Sequence, residues 1–257
     1  LFVKVPAEGT TAKVAGIIPA RWGSSRFPGK PLHHLAGKSL LRHVFERVNQ
    51  CEQLDLLLVA TDDVRIEEEA RSIGAEVVMT SPDHPTGTDR IAEAVAPHPD
   101  VTHVINIQGD EPLVDPALVD SFVTALTAEP DLPMITAANP MTDRAQLDDP
   151  DIVKVVVDGG GNALYFSRSP IPFLRTQPDT LVPLRHMGLY GYRRDFLEQF
   201  VSWPPGLLER AEQLEQLRAL ENGARIRVVL TKDHSIGLDT PEQVPHLEAL
   251  LASCNPP

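Results

Sequence analysis

Cysteines, long apolar runs and export signals are scarce in this sequence. Only two cysteines occur, Cys51 and Cys254, and they form neither a CxxC pair nor a disulfide-rich framework. No stretch approaches the roughly 18 apolar residues of a membrane span, and the first residues lack a basic segment followed by a long apolar run. We therefore expect a cytoplasmic protein that neither enters a membrane nor is exported.

Acidic residues are unevenly distributed along the chain. The 257 residues include 36 acidic and 23 basic ones, which gives a formal net charge of -13. Such a charge argues against a nucleic acid polymer or an anionic membrane as partner. Between Gly9 and Phe45, however, there is no Asp or Glu. Six cations fall in that segment: Lys13, Arg21, Arg26, Lys30, Lys38 and Arg42. This basic segment indicates a site for a small anion.

Hydrophobic periodicity predicts a doubly wound, mostly parallel, Rossmann-like α/β sheet. Short apolar runs predict strands over 14–20, 56–60, 76–79, 103–107, 188–192 and 226–230. Helical spacing predicts helices over 40–48, 66–73, 89–95 and 208–220, and a last one from residue 241. We expect a single domain over 1–257. A smaller lobe over 151–206 would contain a β-hairpin formed by 153–157 and 163–166.

The segment PARWGSSRFPGKP, residues 19–31, follows the first predicted strand and has the composition of a phosphate-binding loop. Arg21 and Arg26 can donate to phosphate oxygens in pairs, and Lys30 can neutralise another oxygen. The segment is not a Walker A loop, because five residues separate its glycines and Pro31 stands where a Ser or Thr is needed. It also lacks G-x-G-x-x-G, which argues against a dinucleotide oxidoreductase. The alternative is a solvated basic loop.

Two carboxylates follow predicted strands at positions where ligands of such sheets bind. Asp110 lies in QGDEP after the strand over 103–107, and Asp239 lies in GLDTPEQV before the last helix. One or two carboxylates together with substrate phosphates are enough to hold Mg²⁺. The alternatives are a plain turn at Asp110 and a helix cap at Asp239. Glu111 is a weaker candidate ligand.

Nine motifs resemble, in order and in approximate spacing, those of the sugar-activating nucleotidyltransferases. The likeness is greatest to the 3-deoxy-manno-octulosonate (Kdo) cytidylyltransferases, or CMP-Kdo synthetases. These motifs are PARWGSSRFPGKPL, VATDD, TGTDRIAEA, INIQGDEPLV, VKVVVD, ALYFSRSPIP, RHMGLYGYRR, LEQLRAL and GLDTPEQV. The resemblance covers nearly the whole chain and implies the fold of nucleotide-diphospho-sugar transferases. It assigns the triphosphate of CTP to Arg21, Ser24, Arg26 and Lys30. Thr86, Thr88 and Arg90 would lie near the base and ribose.

The resemblance also points to residues for the sugar. They are Gln108, which would contact the nucleotide as well, and Arg168, His186, Tyr190, Glu212 and Gln216. Arg168 and His186 would offer a cation or a charge-assisted donor to the sugar carboxylate. Glu212 and Gln216, four residues apart, would share a helix face opposite a core stripe of Leu207, Ala211, Leu214 and Leu217. The alternative for this pair is a solvated polar face. His33 and His34 receive no role.

The activity implied by the resemblance is transfer of CMP from CTP to the anomeric hydroxyl of Kdo, with release of pyrophosphate. Arg21, Lys30, Asp110 and Asp239 would be catalytic, Asp110 and Asp239 would bind Mg²⁺, and a homodimer would supply lipopolysaccharide assembly. The lobe over 151–206 would contribute to the sugar site and the dimer interface. Three alternatives stay open: another acidic sugar as acceptor, a glycosyltransferase and a non-catalytic nucleotide sensor. The chain departs from the family at Asp149-Pro150-Asp151, where Asn-Pro-Asn is common, and in the residues before its first strand.

Overall fold

The structure, a computed structural model, describes residues 12–23, 27–141, 143–176, 181–232 and 236–254. Its strands are Val14–Ala20 (β1), His34–Leu35 (β2), Lys38–Ser39 (β3), Leu56–Thr61 (β4), Glu76–Met79 (β5), His103–Asn106 (β6), Met134–Pro140 (β7), Lys154–Val157 (β8), Ala163–Ser167 (β9), Leu184–Arg193 (β10) and Ile226–Leu230 (β11). Its α-helices are Leu40–Val48 (α1), Val64–Ser72 (α2), Gly87–Val95 (α3), Pro116–Ala128 (α4), Arg194–Ser202 (α5), Leu207–Glu212 (α6), Leu217–Glu221 (α7) and Val244–Cys254 (α8). The sequence-based prediction did not include α4, α5 and β7.

The predicted doubly wound sheet is confirmed. Its main path runs β11-β7-β10-β6-β1-β4-β5. β1 pairs in parallel with β4 and β6, β4 with β5, and β7 with β11. β10 is antiparallel to both of its neighbours, β6 and β7. Helices cover both faces, so β1 is buried almost along its whole length, as its continuous apolar run predicts.

The predicted hairpin is also present and is continuous with the main sheet. β8 and β9 pair antiparallel, and β8 pairs with the start of β10. Asp158 closes the turn by accepting hydrogen bonds from the backbone N–H groups of Gly160 and Asn162, both at 2.8 Å. Because β10 also lies between β6 and β7, the hairpin is fixed to the strands that lead to the candidate site.

The predicted continuous helix over 208–220 is wrong, because two short helices, α6 and α7, occupy this region. Gln213 adopts a left-handed conformation with φ of 54°, which ends α6. Only half of the predicted core stripe is present: Leu214 and Leu217 are buried, whereas Leu207 is 74% exposed and Ala211 is also exposed. The break allows Glu209 on α6 and Arg218 on α7 to form a buried ion pair of 2.6 Å. Among the described residues, no helix combines the length and the apolar character that crossing a membrane requires.

Candidate active site

The candidate site lies where the direction of winding of the sheet reverses. From β1 the chain proceeds to β4 and β5 on one side, and then crosses to β6 on the other side of β1. Loops at the carboxyl ends of β1 and β6 therefore diverge and leave a crevice, which is where open α/β sheets bind ligands. Gly109 keeps this crevice narrow at its base, because a Cβ there would lie 2.7 Å from the carbonyl oxygen of Pro19.

A cleft of about 270 Å³ occupies this crevice. The predicted residues that line it are Arg21, Lys30, Thr86, Arg90, Gln108, Asp110 and Asp239. Two further predicted residues, Ser24 and Arg26, lie outside the described residues. Residues from loops after β1, β5 and β6 and from the segment before α8 thus converge on one cavity.

Lys30, Asp110 and Asp239 form a charged group in the cleft. The ammonium nitrogen of Lys30 lies 2.7 Å from Asp110 Oδ2 and 4.0 Å from Asp239 Oδ1. The side chain of Lys30 is 16% exposed, whereas that of Asp239 is 50% exposed. Both carboxylates therefore share one cation at a position open to solvent and to ligand.

A small apolar cluster brings these charged residues together from distant parts of the sequence. It contains Phe27 from the loop after β1, Leu35 from β2 and Leu40 from the start of α1, together with Leu238, Leu247 and Leu251 from the C-terminal segment. The backbone N–H of Leu238 also donates to the carbonyl oxygen of Asp110 at 2.9 Å. The 3-10 turn Pro241–Gln243, which leads into α8, has Thr240 as its N-cap.

Arg90 and Thr88 make contacts that the sequence did not predict. Arg90 is only 2% exposed. Its guanidinium donates to Thr80 and to Asp62 Oδ2, the latter at 2.7 Å, so its charge is already balanced. Thr88 is not among the lining residues of the cleft, and its hydroxyl donates to Glu215. Thr86 caps α3 and lines the cleft. The assignment of Thr88 to the nucleotide therefore gains no support from its contacts.

A second cavity adjoins the cleft and contains part of the predicted sugar site. Its lining includes the predicted residues His186, Tyr190 and Gln216, and also Asp151, Arg185 and Gly188. Gln108, which lines the first cleft, donates from Nε2 to the carbonyl oxygen of Gly188 at 2.9 Å. Gln108 therefore stands between the two cavities, as expected of a residue assigned to both substrates.

The environment of His186 keeps its imidazole neutral. Burial lowers the pKa of His186 from 6.5 to about 3, and its Nε2 lies 3.0 Å from the hydroxyl of Thr136. Phe166 and Tyr190 pack against the ring with centroid distances of 5.0 and 5.5 Å. These surroundings disfavour the charged form, so they do not support His186 as a cation, and a role as a hydrogen-bonding group for the sugar stays a prediction.

Gln216 is the predicted sugar residue with the clearest unfilled hydrogen-bonding capacity. It is 4% exposed and lines the second cavity. Its Nε2 is buried without a hydrogen-bond partner among the described residues. Buried polar atoms are nearly always satisfied, so an unpaired amide at a cavity wall indicates a place for a ligand acceptor.

Glu212 and Arg168 are not among the residues that line the second cavity. Their hydrogen bonds connect the segments that form the wall beside it. Glu212 accepts from the Ser167 hydroxyl at 2.6 Å and from the backbone N–H of Arg168 at 2.9 Å. Burial alone would raise the pKa of Glu212, but these hydrogen bonds outweigh it and lower the pKa. The alternative of a solvated face is therefore wrong for Glu212. The Arg168 guanidinium donates to the backbone carbonyls of Glu212 and Pro150, each at 2.9 Å.

Lys154, at the start of β8, is a structural residue of this wall that the sequence analysis missed. It is 0% exposed, and its ammonium donates to the carbonyl oxygens of Asp149, Ile152 and Arg168 at 2.8, 2.7 and 2.5 Å. Burial lowers the pKa of Lys154. Its three acceptors connect the loop before β8 to the end of β9, next to the second cavity.

The other missed residues share no strong sequence signal. His84 lines the first cleft, Arg185 lines the second cavity, and Asp62 binds Arg90. Asp62 ends a strand in VATDD, so its position at the carboxyl edge of the sheet could have suggested a role. A single histidine in a polar loop and an arginine within a strand give no such indication.

Cations and paired carboxylates at the switch point of a parallel sheet define a nucleotide-binding α/β protein. A family model described as Cytidylyltransferase matches residues 15–226. The 3-deoxy-manno-octulosonate cytidylyltransferase of Solibacter usitatus (strain Ellin6076) is 50% identical over 238 residues, which cover 93% of this chain and 94% of that protein. The protein of the same name from Syntrophotalea carbinolica (strain DSM 2380 / NBRC 103641 / GraBd1) is 48% identical over 246 residues, covering 93% and 98%. The chain belongs to the cytidylyltransferase family.

Solved structures agree with this assignment. A structure of CMP:2-keto-3-deoxy-manno-octonic acid synthetase complexed with CTP superposes with a TM-score of 0.90 at 40% identity, covering 95% of this chain and 100% of that one. A cytidylyltransferase from Leptospira borgpetersenii serovar Hardjo-bovis (strain JB197) gives a TM-score of 0.65 at 19% identity, covering 95% and 88%. The second likeness shows a shared fold alone.

Proposed function

We propose that this protein transfers CMP from CTP to the anomeric hydroxyl of Kdo and releases pyrophosphate. The observation that carries the proposal is the Lys30 ammonium between Asp110 and Asp239, in a crevice joined through Gln108 to a second cavity. One cavity suits a nucleoside triphosphate and the other suits the acceptor sugar. Two relatives, 50% and 48% identical to this chain, are named 3-deoxy-manno-octulosonate cytidylyltransferase. These names support CTP and Kdo as the two substrates.

The triphosphate would occupy the end of the cleft at β1 and β6. Arg21 is exposed there and can donate to phosphate oxygens in pairs. Lys30 donates to Asp110, and it would donate to a phosphate oxygen once the nucleotide is bound. Phosphoryl transfer needs little covalent chemistry from the protein, so positioning and charge stabilisation by these two cations supply much of the catalysis.

We propose Mg²⁺ as the cofactor, held by Asp110 and Asp239. Among the described residues, no group of three or more His, Cys, Asp or Glu could hold a metal, but Mg²⁺ needs only one or two carboxylates when phosphates and water supply the other ligands. Both carboxylates already neighbour a common cation, which supports this ligand pair. When bound, Mg²⁺ would neutralise triphosphate charge and lower the pKa of the attacking hydroxyl.

The sugar would occupy the second cavity with its anomeric hydroxyl directed towards the cleft. Arg185 lines this cavity and offers the cation that an acidic sugar requires. The unpaired Nε2 of Gln216 would donate to a sugar oxygen, and neutral His186 would act as an uncharged hydrogen-bonding group. Gln108, fixed by its bond to Gly188, would align the two substrates where the cavities meet.

We also propose that the protein is a cytoplasmic homodimer and that its product supplies lipopolysaccharide assembly. The lobe over 151–206 exposes four large apolar side chains: Leu164 at 61%, Phe173 at 88%, Leu181 at 46% and Val182 at 48%. These exposed apolar side chains are the candidates for the proposed dimer interface in this lobe. Light scattering of the purified protein would test the dimer, and a monomer at micromolar concentration would refute it.

A pyrophosphate-release assay tests the activity. We expect release with CTP and Kdo in the presence of Mg²⁺, and much less with ATP, GTP or UTP. An amino-Kdo analogue and sialic acid, assayed in parallel, would identify the acceptor. CTP binding without turnover on any acidic sugar would favour a nucleotide sensor. Consumption of a nucleotide-sugar without pyrophosphate would favour a glycosyltransferase.

A further inference from the structure

The two ends of the predicted phosphate-binding loop are joined at Trp22 and Gly29. The backbone N–H of Gly29 donates to the carbonyl oxygen of Trp22 at 3.1 Å. Gly29 has a φ of 71°, and a Cβ there would lie 2.8 Å from the indole of Trp22, so the ring lies directly against this glycine. Arg21 precedes Trp22, Lys30 follows Gly29, and both cations line the first cleft. The contact between Trp22 and Gly29 therefore fixes the backbone from which both cations extend.

Arg65, at the start of α2, covers the indole of Trp22. Its guanidinium carbon lies 3.3 Å from the ring centroid, at a distance where a cation is attracted to the face of an indole. Ala20 pairs with Thr61 in the register of β1 and β4, so the segments after these strands leave the sheet side by side. The ring also packs against the apolar core that contains residues of β1. Arg65 therefore holds a half-buried indole against the sheet edge.

Asp63 fixes the orientation of the Arg65 guanidinium. Nε of Arg65 donates to Asp63 Oδ1 at 2.9 Å and Nη2 donates to Oδ2 at 2.6 Å, and such a two-point pair defines the plane of the guanidinium. Asp63 balances the charge of Arg65, and Arg65 is not among the residues that line the first cleft. Any effect of Arg65 on a ligand must therefore pass through Trp22. The motif VATDD thus supplies Asp62 to Arg90 and Asp63 to Arg65.

We propose that Arg65 is a positioning residue for the triphosphate and acts through Trp22. Asp63 holds the guanidinium, and the guanidinium holds the indole in place. The cations Arg21 and Lys30 then keep a fixed separation, which favours binding of several phosphate oxygens at once. This inference rests on the proposed use of a nucleoside triphosphate, but it concerns how the phosphate-binding cations are held and not the reaction itself.

Calorimetric binding of inorganic tripolyphosphate and of CTP, without sugar, tests the inference. For Arg65→Ala we expect both dissociation constants to rise roughly fivefold, because a contact between a cation and an indole at a partly exposed position contributes about that factor. The KM for CTP should rise by a similar factor, whereas the KM for the sugar should not change. Arg71→Ala removes another exposed arginine of α2, paired with Glu67, and should leave all four values unchanged.

Asp63→Asn separates positioning from a general effect of charge. Asparagine caps a helix as well as aspartate does, so α2 keeps its N-cap. Removal of a negative charge would by itself strengthen the binding of an anion, whereas a loosened Arg65 weakens it. We expect tripolyphosphate to bind roughly threefold more weakly. Unchanged or tighter binding would overturn the inference, as would a full effect of Arg65→Ala in a Trp22→Leu background.

The proposed function is judged separately, by pyrophosphate release from CTP and Kdo with the unmodified protein. An active wild type whose Arg65→Ala variant binds tripolyphosphate normally would remove this inference and leave the function standing. A wild type that releases no pyrophosphate, but whose binding of tripolyphosphate depends on Arg65, would remove the function and leave this inference standing. A wild type that binds no tripolyphosphate would overturn the inference.

Discussion

Acidification should destabilise this protein, and the side chain of His186 should account for a measurable part of the loss. The pKa of His186 is lowered by burial to about 3 in the folded protein, against 6.5 for the free side chain. The unfolded chain therefore binds the proton first as the pH falls, and protonation favours unfolding. The stabilising contribution of neutral His186 is present above pH 6.5 and is lost as the pH falls from there towards 3.

The magnitude follows from linkage between proton binding and unfolding. Each pH unit over which only the unfolded state is protonated costs about 1.4 kcal/mol. Between pH 7.5 and pH 5, most of the titration of the unfolded state takes place while folded His186 stays neutral, so the expected loss is about 2 kcal/mol. This loss of about 2 kcal/mol requires only that the pKa of His186 in the folded protein lies well below 5.

Urea unfolding at pH 7.5 and pH 5 measures the loss for the wild type and for His186→Gln. Glutamine keeps a hydrogen-bonding group near Thr136 but cannot titrate. His103, whose pKa burial also lowers, contributes equally to both proteins and cancels in the comparison. We expect the wild type to lose about 2 kcal/mol more than the variant over this interval. Losses that agree within about 0.5 kcal/mol would refute a neutral, desolvated His186.

Three further substitutions test the site. Asp110→Ala should abolish pyrophosphate release but leave CTP binding detectable by calorimetry, and near-normal turnover would contradict its role as a metal ligand. Lys154→Met should lower the free energy of unfolding by about 3 kcal/mol, because three buried carbonyl oxygens lose their donor, and it should raise the KM for the sugar more than that for CTP. An equal rise in both would mean a general structural effect. Gly109→Ala places a Cβ 2.7 Å from the Pro19 carbonyl, so kcat should fall at least tenfold. Gly159→Ala, with open space around it, is its matched control.

Most of the fold could be predicted because each element of the sheet carries its own local signal. The continuous apolar run of β1 and the Ser39 cap of α1 are read directly from neighbouring residues. The prediction of one helix over 208–220 is wrong because the apolar residues keep helical spacing throughout the segment, whereas tertiary contacts interrupt the helix. The buried pair of Glu209 and Arg218 requires the chain to turn at Gln213, and spacing alone contains no information on that pairing.

The candidate site shows the same division between local chemistry and tertiary contact. Cations after β1 and carboxylates after other strands are recognisable, because such side chains at the carboxyl edge of a parallel sheet have few structural uses. Whether each group is charged and already paired cannot be recognised from the sequence. Arg90 reads as a free cation but is neutralised by Asp62. His186 reads as a charge donor but is kept neutral by the aromatic rings around it.

The pairing of Lys30 with Asp239 depends on apolar residues that no motif includes. Leu238 is fully buried beside Phe27 and Leu35, and its backbone also binds Asp110. This packing places Asp239 next to Lys30 of the predicted phosphate-binding loop, although the two segments lie at opposite ends of the sequence. A charged pair at half-exposed positions contributes little stability by itself. The apolar cluster therefore holds the carboxylates in place, and their charges remain available to a cation and a triphosphate.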